Sequence, residues 1–197
     1  MKLLFYCQCG LIAAGTALLA YWGAVTVRAR LFQRSELQAT AMRPHRTRPA
    51  QAPYPQDGTV LATLSIPDLR LSFVVVEGVS SRDLSLGPGH IPGTPLPGED
   101  GNVAIAGHRD TVFRPLRWIR PTQTIRLTTP RGERDYRVVS TEIVNIRDVR
   151  VLNPTERNTL TLVTCYPFYY VGHAPKRFIV HADAVPEPVS SGRPPHS

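Results

Sequence analysis

From Gly58 onward the chain is a succession of short apolar or alternating runs divided by turn chemistry, and that pattern restricts the globular part to a sheet protein. Val60-Leu61-Ala62-Thr63-Leu64-Ser65-Ile66 and Leu71-Ser72-Phe73-Val74-Val75-Val76 flank Pro67-Asp68, a natural turn. A Gly- and Pro-rich loop runs from Gly87 to Asn102. Strand signals resume at Val103–Ala106, Thr124–Thr129, Asp135–Asn145, Thr159–Thr164 and Arg177–Asp183. Between the first two of these, Thr111–Ile119 clusters Phe113, Leu116, Trp118 and Ile119 and reads as a short helical turn packed on the sheet. Many short strands with turns between them predict an all-β sandwich or barrel. Closure would also remove the sheet edges on which chains aggregate. There is no internal repeat, and no glycine pattern of a dinucleotide or phosphate loop.

The N-terminal segment obeys a different rule. No residue between Lys2 and Arg28 is charged, a run of 25 positions. As a helix rising about 1.5 Å per residue, it is long enough for the ~30 Å hydrocarbon core of a bilayer. Tyr6, Tyr21 and Trp22 lie near its ends, where amphipathic aromatics favour the headgroup zone. A cleavable signal peptide has a shorter core, roughly 7–15 residues, before an A-x-A-like site. Val25-Thr26-Val27-Arg28-Ala29-Arg30 offers no such site, so a retained anchor is expected over residues 1–28. Residues 29–57, with Pro44, Pro49, Pro53 and Pro55, are expected to extend the helix through Arg28–Gln38 and then to continue as an extended basic tether. The folded domain is expected over 58–184, and 185–197, with four prolines, as a loose tail.

Charge supports this division. Residues 1–57 carry Lys2 and six arginines against Glu36 and Asp57, a net +5 of the total +8. A basic stretch beside an apolar span suits anionic headgroups. No nucleic-acid motif accompanies it, so nucleic acid is not an expected partner. Counted alone, the arginines after the span would place the C-terminal domain in the cytoplasm. Of the three cysteines, Cys7 and Cys9 lie in the apolar run as small membrane residues or acylation sites, which leaves Cys165 alone in the globular part. That number does not make a disulfide framework. The acidic residues are scattered, with no calcium-loop spacing, so neither a metal nor any other cofactor is expected.

Cys165 closes Thr161-Leu162-Val163-Thr164-Cys165, His108 closes Val103-Ala104-Ile105-Ala106-Gly107-His108, and Arg177 opens the last strand after Ala174-Pro175-Lys176. All three sit at or beside strand ends. A thiol nucleophile, an acid/base partner and a permanent cation for a developing oxyanion form a coherent set for acyl transfer. Thr164 beside the nucleophile is expected to line a substrate groove; a strand threonine with no special task is the plain alternative. His90, His173 and His181 compete with His108 for the acid/base role, and Asp110 could orient Arg109 or His108.

These residues together resemble the sortase family of cysteine transpeptidases. The likeness rests on Thr161-Leu162-Val163-Thr164-Cys165, on Ala106-Gly107-His108-Arg109, and on Arg177 in Ala174-Pro175-Lys176-Arg177-Phe178. Leu64-Ser65-Ile66-Pro67, Gly87-Pro88-Gly89-His90, Pro97-Gly98-Glu99-Asp100-Gly101-Asn102 and Cys165-Tyr166-Pro167 agree with it over about residues 58–184. The proline after Cys165-Tyr166 and the Gly107-His108-Arg109-Asp110 segment look most like classes D or E. The resemblance implies a closed eight-stranded β-barrel with short helices, preceded by one N-terminal transmembrane helix. It implies protein substrates with an LPxTG-like C-terminal sorting signal. Cys165 would form a thioester with the signal, and an amine from peptidoglycan, a pilin lysine or another surface group would accept the acyl chain. It also implies an extracytoplasmic catalytic domain on a single-pass anchor, against the charge count above. In such enzymes Cys165 and His108 would be largely neutral, with a small active fraction of thiolate and imidazolium.

Three other functions fit parts of the pattern. An L,D-transpeptidase would read S-x-G-C where this chain has Leu162-Val163-Thr164-Cys165. A hydrolase would share the first step and release the acyl group to water. A catalytically silent, membrane-anchored peptide-binding barrel would need none of the three residues to react.

Overall fold

The computed structural model describes residues 2–42, 53–170 and 172–186, with side chains of the first segment described from Tyr6 to Ala39. Of the tether expected within 29–57, residues 43–52 lie outside the described residues, as do residues 187–197 of the tail expected over 185–197.

The strand runs fold into one closed barrel. Its strands are β1 (Val60–Ile66), β2 (Leu71–Glu77), β3 (Gly89–His90), β4 (Asn102–Gly107), β5 (Thr124–Thr129), β6 (Gly132–Asn145), β7 (Thr159–Tyr166) and β8 (Lys176–Ala184). Around the barrel they follow the order β1-β2-β3-β4-β7-β8-β6-β5 and close on β1. The β2–β3 and β4–β7 pairs are parallel and the others antiparallel. The expected eight-stranded barrel is therefore present, with each strand flanked by a strand on both sides.

Alternation along the strands sends Leu64, Ile66, Val75, Ile105, Ile125, Leu127, Tyr136, Leu160, Leu162 and Val180 into a shared core. Phe113 and Leu116 enter the same core from a 3₁₀ turn at Arg114–Trp118, the helical turn expected there. Burying the Tyr136 ring pushes its phenol pKa up. A smaller apolar cluster lies on the other face of the sheet: Val144 of β6, Val163 of β7 and Ile179 of β8, covered by Val151 and Leu152.

Two elements add to those expected, one in a stretch the sequence left unassigned and one inside the Gly87–Asn102 loop. Helix α2 (Ser81–Leu86) begins with a capping box, in which the Ser80 hydroxyl accepts from the Asp83 backbone N–H and the Asp83 carboxylate accepts from the Ser80 backbone N–H. Gly78 is fixed by this arrangement: its φ of 94° disfavours side chains, and a Cβ would stand 2.6 Å from an Asp83 carboxylate oxygen. The two-residue β3 is held by buried His90, whose Nδ1 lies 2.8 Å from Glu77 Oε2 and whose Nε2 lies 3.0 Å from the Pro95 carbonyl.

Helix α1 spans Lys2–Met42, so it continues past Arg28 and past Gln38 without a break. Its apolar part, including Leu11, Ile12, Leu18, Leu19, Tyr21 and Trp22, is exposed. It is long and apolar enough to cross a membrane.

Candidate active site

Strand pairing alone gathers the three sequence candidates. β4 and β7 run parallel in register from Asn102↔Thr159 to Gly107↔Thr164, so His108, which follows the last residue of β4, comes out beside Cys165, the next residue of β7. On the other flank of β7, Cys165 is the register partner of Arg177 on β8. Cys165 and Arg177 are half-buried, and His108 is exposed.

The faces matter. Leu160 and Leu162 of β7, with Val180 and Ala182 of β8, point into the core. The alternate residues Val163 and Cys165, with Arg177 and Ile179, therefore lie on the outer face of the sheet. Val163 and Ile179 form the row next to Cys165 and Arg177, and Val144 on β6 is Arg177's other register partner. The thiol and the guanidinium thus stand at the end of an apolar floor of Val144, Val163 and Ile179, walled by Val151 and Leu152. Sequence reasoning missed this floor. Both faces of these strands are covered, so the alternation that marks a one-sided strand is lost.

His108 is placed by its neighbours. Phe113 N–H donates to the His108 carbonyl at 2.9 Å, closing the turn that follows β4. A Cβ at Gly107 would come within 2.6 Å of the Phe113 ring, so the glycine lets the ring close against the strand. Thr164 is 2 % exposed, and its hydroxyl donates to the Gly107 carbonyl at 2.7 Å. Its side chain is thus turned away from the outer face that bears Cys165, and it braces the two strands that present the pair.

Arg177 Nη1 donates to the carbonyls of Ala174 (3.3 Å) and Lys176 (3.0 Å). Its fork is folded against the backbone at the mouth of the site. Lys176 is exposed. The segment joining Cys165 to Arg177 is rich in aromatic residues. Phe168 packs edge-on against Phe178 with centroids 5.3 Å apart, and the Tyr166–Pro167 peptide is cis. Arg109, the residue after His108, reaches across to this loop. Its Nη2 donates to the carbonyls of Tyr170 (2.7 Å) and Gly172 (3.0 Å), and its guanidinium lies 5.7 Å from the Tyr170 ring centroid. Arg117 sits 5.2 Å from the centroids of both Trp118 and Tyr169. Arg109 was legible only as a neighbour of His108; its loop contacts span 61 and 63 residues.

The competing histidines are elsewhere or engaged. His90 is fully buried between Glu77 and Pro95. His181 Nε2 lies 2.8 Å from Glu142 Oε1 on the outer face of β8. Glu142 also accepts from Arg150, and the Arg150 and His181 contacts together hold its carboxyl below the ordinary glutamate range. His173 is exposed on the loop between β7 and β8. Asp110 is exposed too, and Arg109 turns to the loop carbonyls. Among the described residues, no group of His, Cys, Asp and Glu could hold a metal ion. A cavity lined by Pro53, Pro55, Leu96, Pro97 and Arg131 lies at the opposite end of the barrel from Cys165.

Comparison with known proteins converges on one family. The sortase domain profile matches residues 64–185. Over 132 residues the chain is 39% identical to Sortase D of Bacillus subtilis (strain 168), covering 66% of this chain and 67% of that protein. It spans about half the length of two more distant sortase A relatives. Among solved structures it resembles a Clostridium perfringens Sortase D5 transpeptidase, with a TM-score of 0.62 at 29% identity, over 68% of this chain and 83% of that one. The fold is shared by Clostridium perfringens sortase C with the C-terminal cell wall sorting motif, at a TM-score of 0.61 and 23% identity, over 67% of this chain and 74% of that one.

Proposed function

The chain belongs to the sortase family of cysteine transpeptidases, and on that footing we propose that it cuts an LPxTG-like C-terminal sorting signal with Cys165 and passes the acyl group to an amine. The observation that carries this is the register that sets His108 and Arg177 on either side of Cys165 at the barrel's end.

In the reaction proposed, the Cys165 thiolate adds to the carbonyl that follows the signal's threonine. Arg177 unfolds from the loop carbonyls to donate to the oxyanion, a role in which one lost donor costs a factor of about 10²–10³ in rate. His108 as imidazolium gives its proton to the departing amine, the C–N bond breaks, and a thioester remains on Cys165. An incoming amine then adds to the thioester and loses a proton to His108. Its bond to carbon forms as the thiolate leaves. The apolar floor of Val144, Val163 and Ile179 suits the aliphatic part of the signal. The Thr164 hydroxyl positions the strands rather than touching the substrate. The acceptor would be a surface amine of peptidoglycan or a pilin lysine, and the domain extracytoplasmic on the α1 anchor.

The test is to incubate the full chain in detergent with LPxTG-like peptides and an added amine, following intact mass. A peptide adduct on Cys165 that resolves to an amine-linked product supports the reading. An adduct that resolves only to acid favours a hydrolase. No adduct with any peptide, from folded protein, counts against both.

A further inference from the structure

Helix α1 does not simply lead into the barrel; it is fastened to it. From Ala29 on, a stripe of Ala29, Phe32, Gln33, Glu36 and Leu37 is covered at helical spacing, while every residue from 6 to 22 is exposed. The cover comes from α2, β2 and β1. At the centre of the stripe Gln33 is only 7 % exposed. Its Oε1 accepts from the Val74 N–H at 2.7 Å, and its Nε2 donates to the Leu86 carbonyl at 2.8 Å and to the Val74 carbonyl at 3.2 Å. The reason lies in the short β3. It pairs with β2 only at Val76↔Gly89 and Glu77↔His90, so Val74 has no strand neighbour on that side. The Gln33 amide satisfies both Val74 backbone groups as a neighbouring strand would. Gly87 makes room: a Cβ there would lie 2.2 Å from Gln33 Nε2.

Where the fastening lies along the helix sets its consequence. Gln33 is six residues beyond Val27, the last residue of the uncharged run, hence about 9 Å further along the axis. The headgroup layer on each side of a bilayer is roughly 5–8 Å deep. A barrel attached at that height touches the polar face of the membrane. Arg28, Arg30 and Arg34 on α1 and Arg82 on α2 are exposed around the joint, which suits anionic headgroups. We propose that Gln33 locks α1 and the barrel into one rigid body and thereby seats the barrel on the surface of an anionic membrane. This requires α1 to span the bilayer but not that the protein be an active transpeptidase.

The test uses the full chain with Cys7, Cys9 and Cys165 replaced by alanine, in nanodiscs of phosphatidylcholine alone or mixed with phosphatidylglycerol. Spin labels at Ser35→Cys on α1 and Val139→Cys on β6 report the helix-to-barrel distance, and a label at Ser85→Cys on α2 reports relaxation by a headgroup-attached paramagnetic lipid. A single narrow distance is expected, with relaxation stronger in the anionic discs. Gln33→Ala, shown by circular dichroism to keep the barrel, should broaden the distance and weaken the relaxation. Losing one to two net hydrogen bonds should lower the docked-to-free ratio roughly tenfold or more. A broad distribution before any change at Gln33, or a narrow one that survives Gln33→Ala, would overturn the lock. Equal relaxation in the two lipid compositions would overturn the preference for anionic headgroups. The silent Cys165→Ala background keeps these outcomes separate from the fate of the catalytic reading.

Discussion

The Thr164 hydroxyl donates to the Gly107 carbonyl at 2.7 Å, joining the last β7–β4 register pair immediately before Cys165 and His108. The bond lies in the core, out of reach of a substrate on the outer face. Replacing Thr164 by valine keeps the volume but strips a buried carbonyl of its donor, a cost of about 1–3 kcal/mol. Thermal unfolding should therefore drop, and kcat should fall as the pair loosens, with KM for peptide little changed. Thr164→Ser should recover most of both. A Thr164→Val enzyme with normal stability but raised KM would instead point to direct substrate contact.

Gly107 makes the complementary prediction. A methyl group there meets the Phe113 ring at 2.6 Å, within a buried core where overpacking costs roughly 1–3 kcal/mol. Gly107→Ala should lower stability and displace the turn that carries His108. Adding Phe113→Leu should restore part of the activity, because the ring is the obstacle. If the double variant is no better than the single one, the glycine is needed for some other reason.

Much of this arrangement was legible in the chain, for identifiable reasons. Val60–Ile66, Thr124–Thr129 and Arg177–Asp183 alternate strongly enough to read as strands, and their turns carry Pro67-Asp68 and similar signals. Two-residue β3 is too short to have a period, and it exists because His90 meets buried Glu77. The Ser80 and Asp83 pair is a capping signal that would have revealed α2. The nearness of His108 and Cys165 was inferable only through family resemblance, since it depends on a parallel pairing of segments 57 residues apart. Gln33 gave no signal at all, because a lone glutamine on a basic helix carries no pattern until Val74 is seen without a strand neighbour.

Arg109 ties the loop after Cys165 to the residue after His108 through two carbonyls. It is a positioning residue, so its loss should act on the loop before it acts on the thiol. Arg109→Gln should speed proteolytic nicking within residues 167–175 and raise KM for the acceptor amine several-fold, each charged hydrogen bond being worth about 1.5–3 kcal/mol before solvent screening. Alkylation of Cys165 by a small electrophile should stay near the unmodified rate. Arg109→Lys, which keeps the charge without the fork, should recover the loop only in part. A large loss of alkylation rate would show that Arg109 acts on the nucleophile itself.

Arg177 should behave differently. As the proposed oxyanion donor it works on the transition state, so Arg177→Ala should cut kcat by about 10²–10³ while peptide KM moves little. Arg177→Lys retains charge but loses the planar fork, and should remain well below the native rate. Preserved turnover in Arg177→Ala would assign the oxyanion to backbone donors instead.

Glu142 supplies a dependence on pH. Hydrogen bonds from Arg150 and then from His181 hold its carboxyl below the ordinary value of 4.5. A carboxyl whose pKa is depressed in the fold stabilises it fully above the unfolded value, and the contribution is lost as pH falls through the lowered one. The side chain is 30% exposed, so screening limits the gain to a few tenths to 1 kcal/mol or so. Glu142→Gln should melt slightly below the native protein at neutral pH, with the gap closing as pH drops below 4.5. Salt should narrow the gap as well, because the Arg150 partner is exposed. A gap that stays constant down to the acid limit would mean that the glutamate contributes by packing on β6, not by charge.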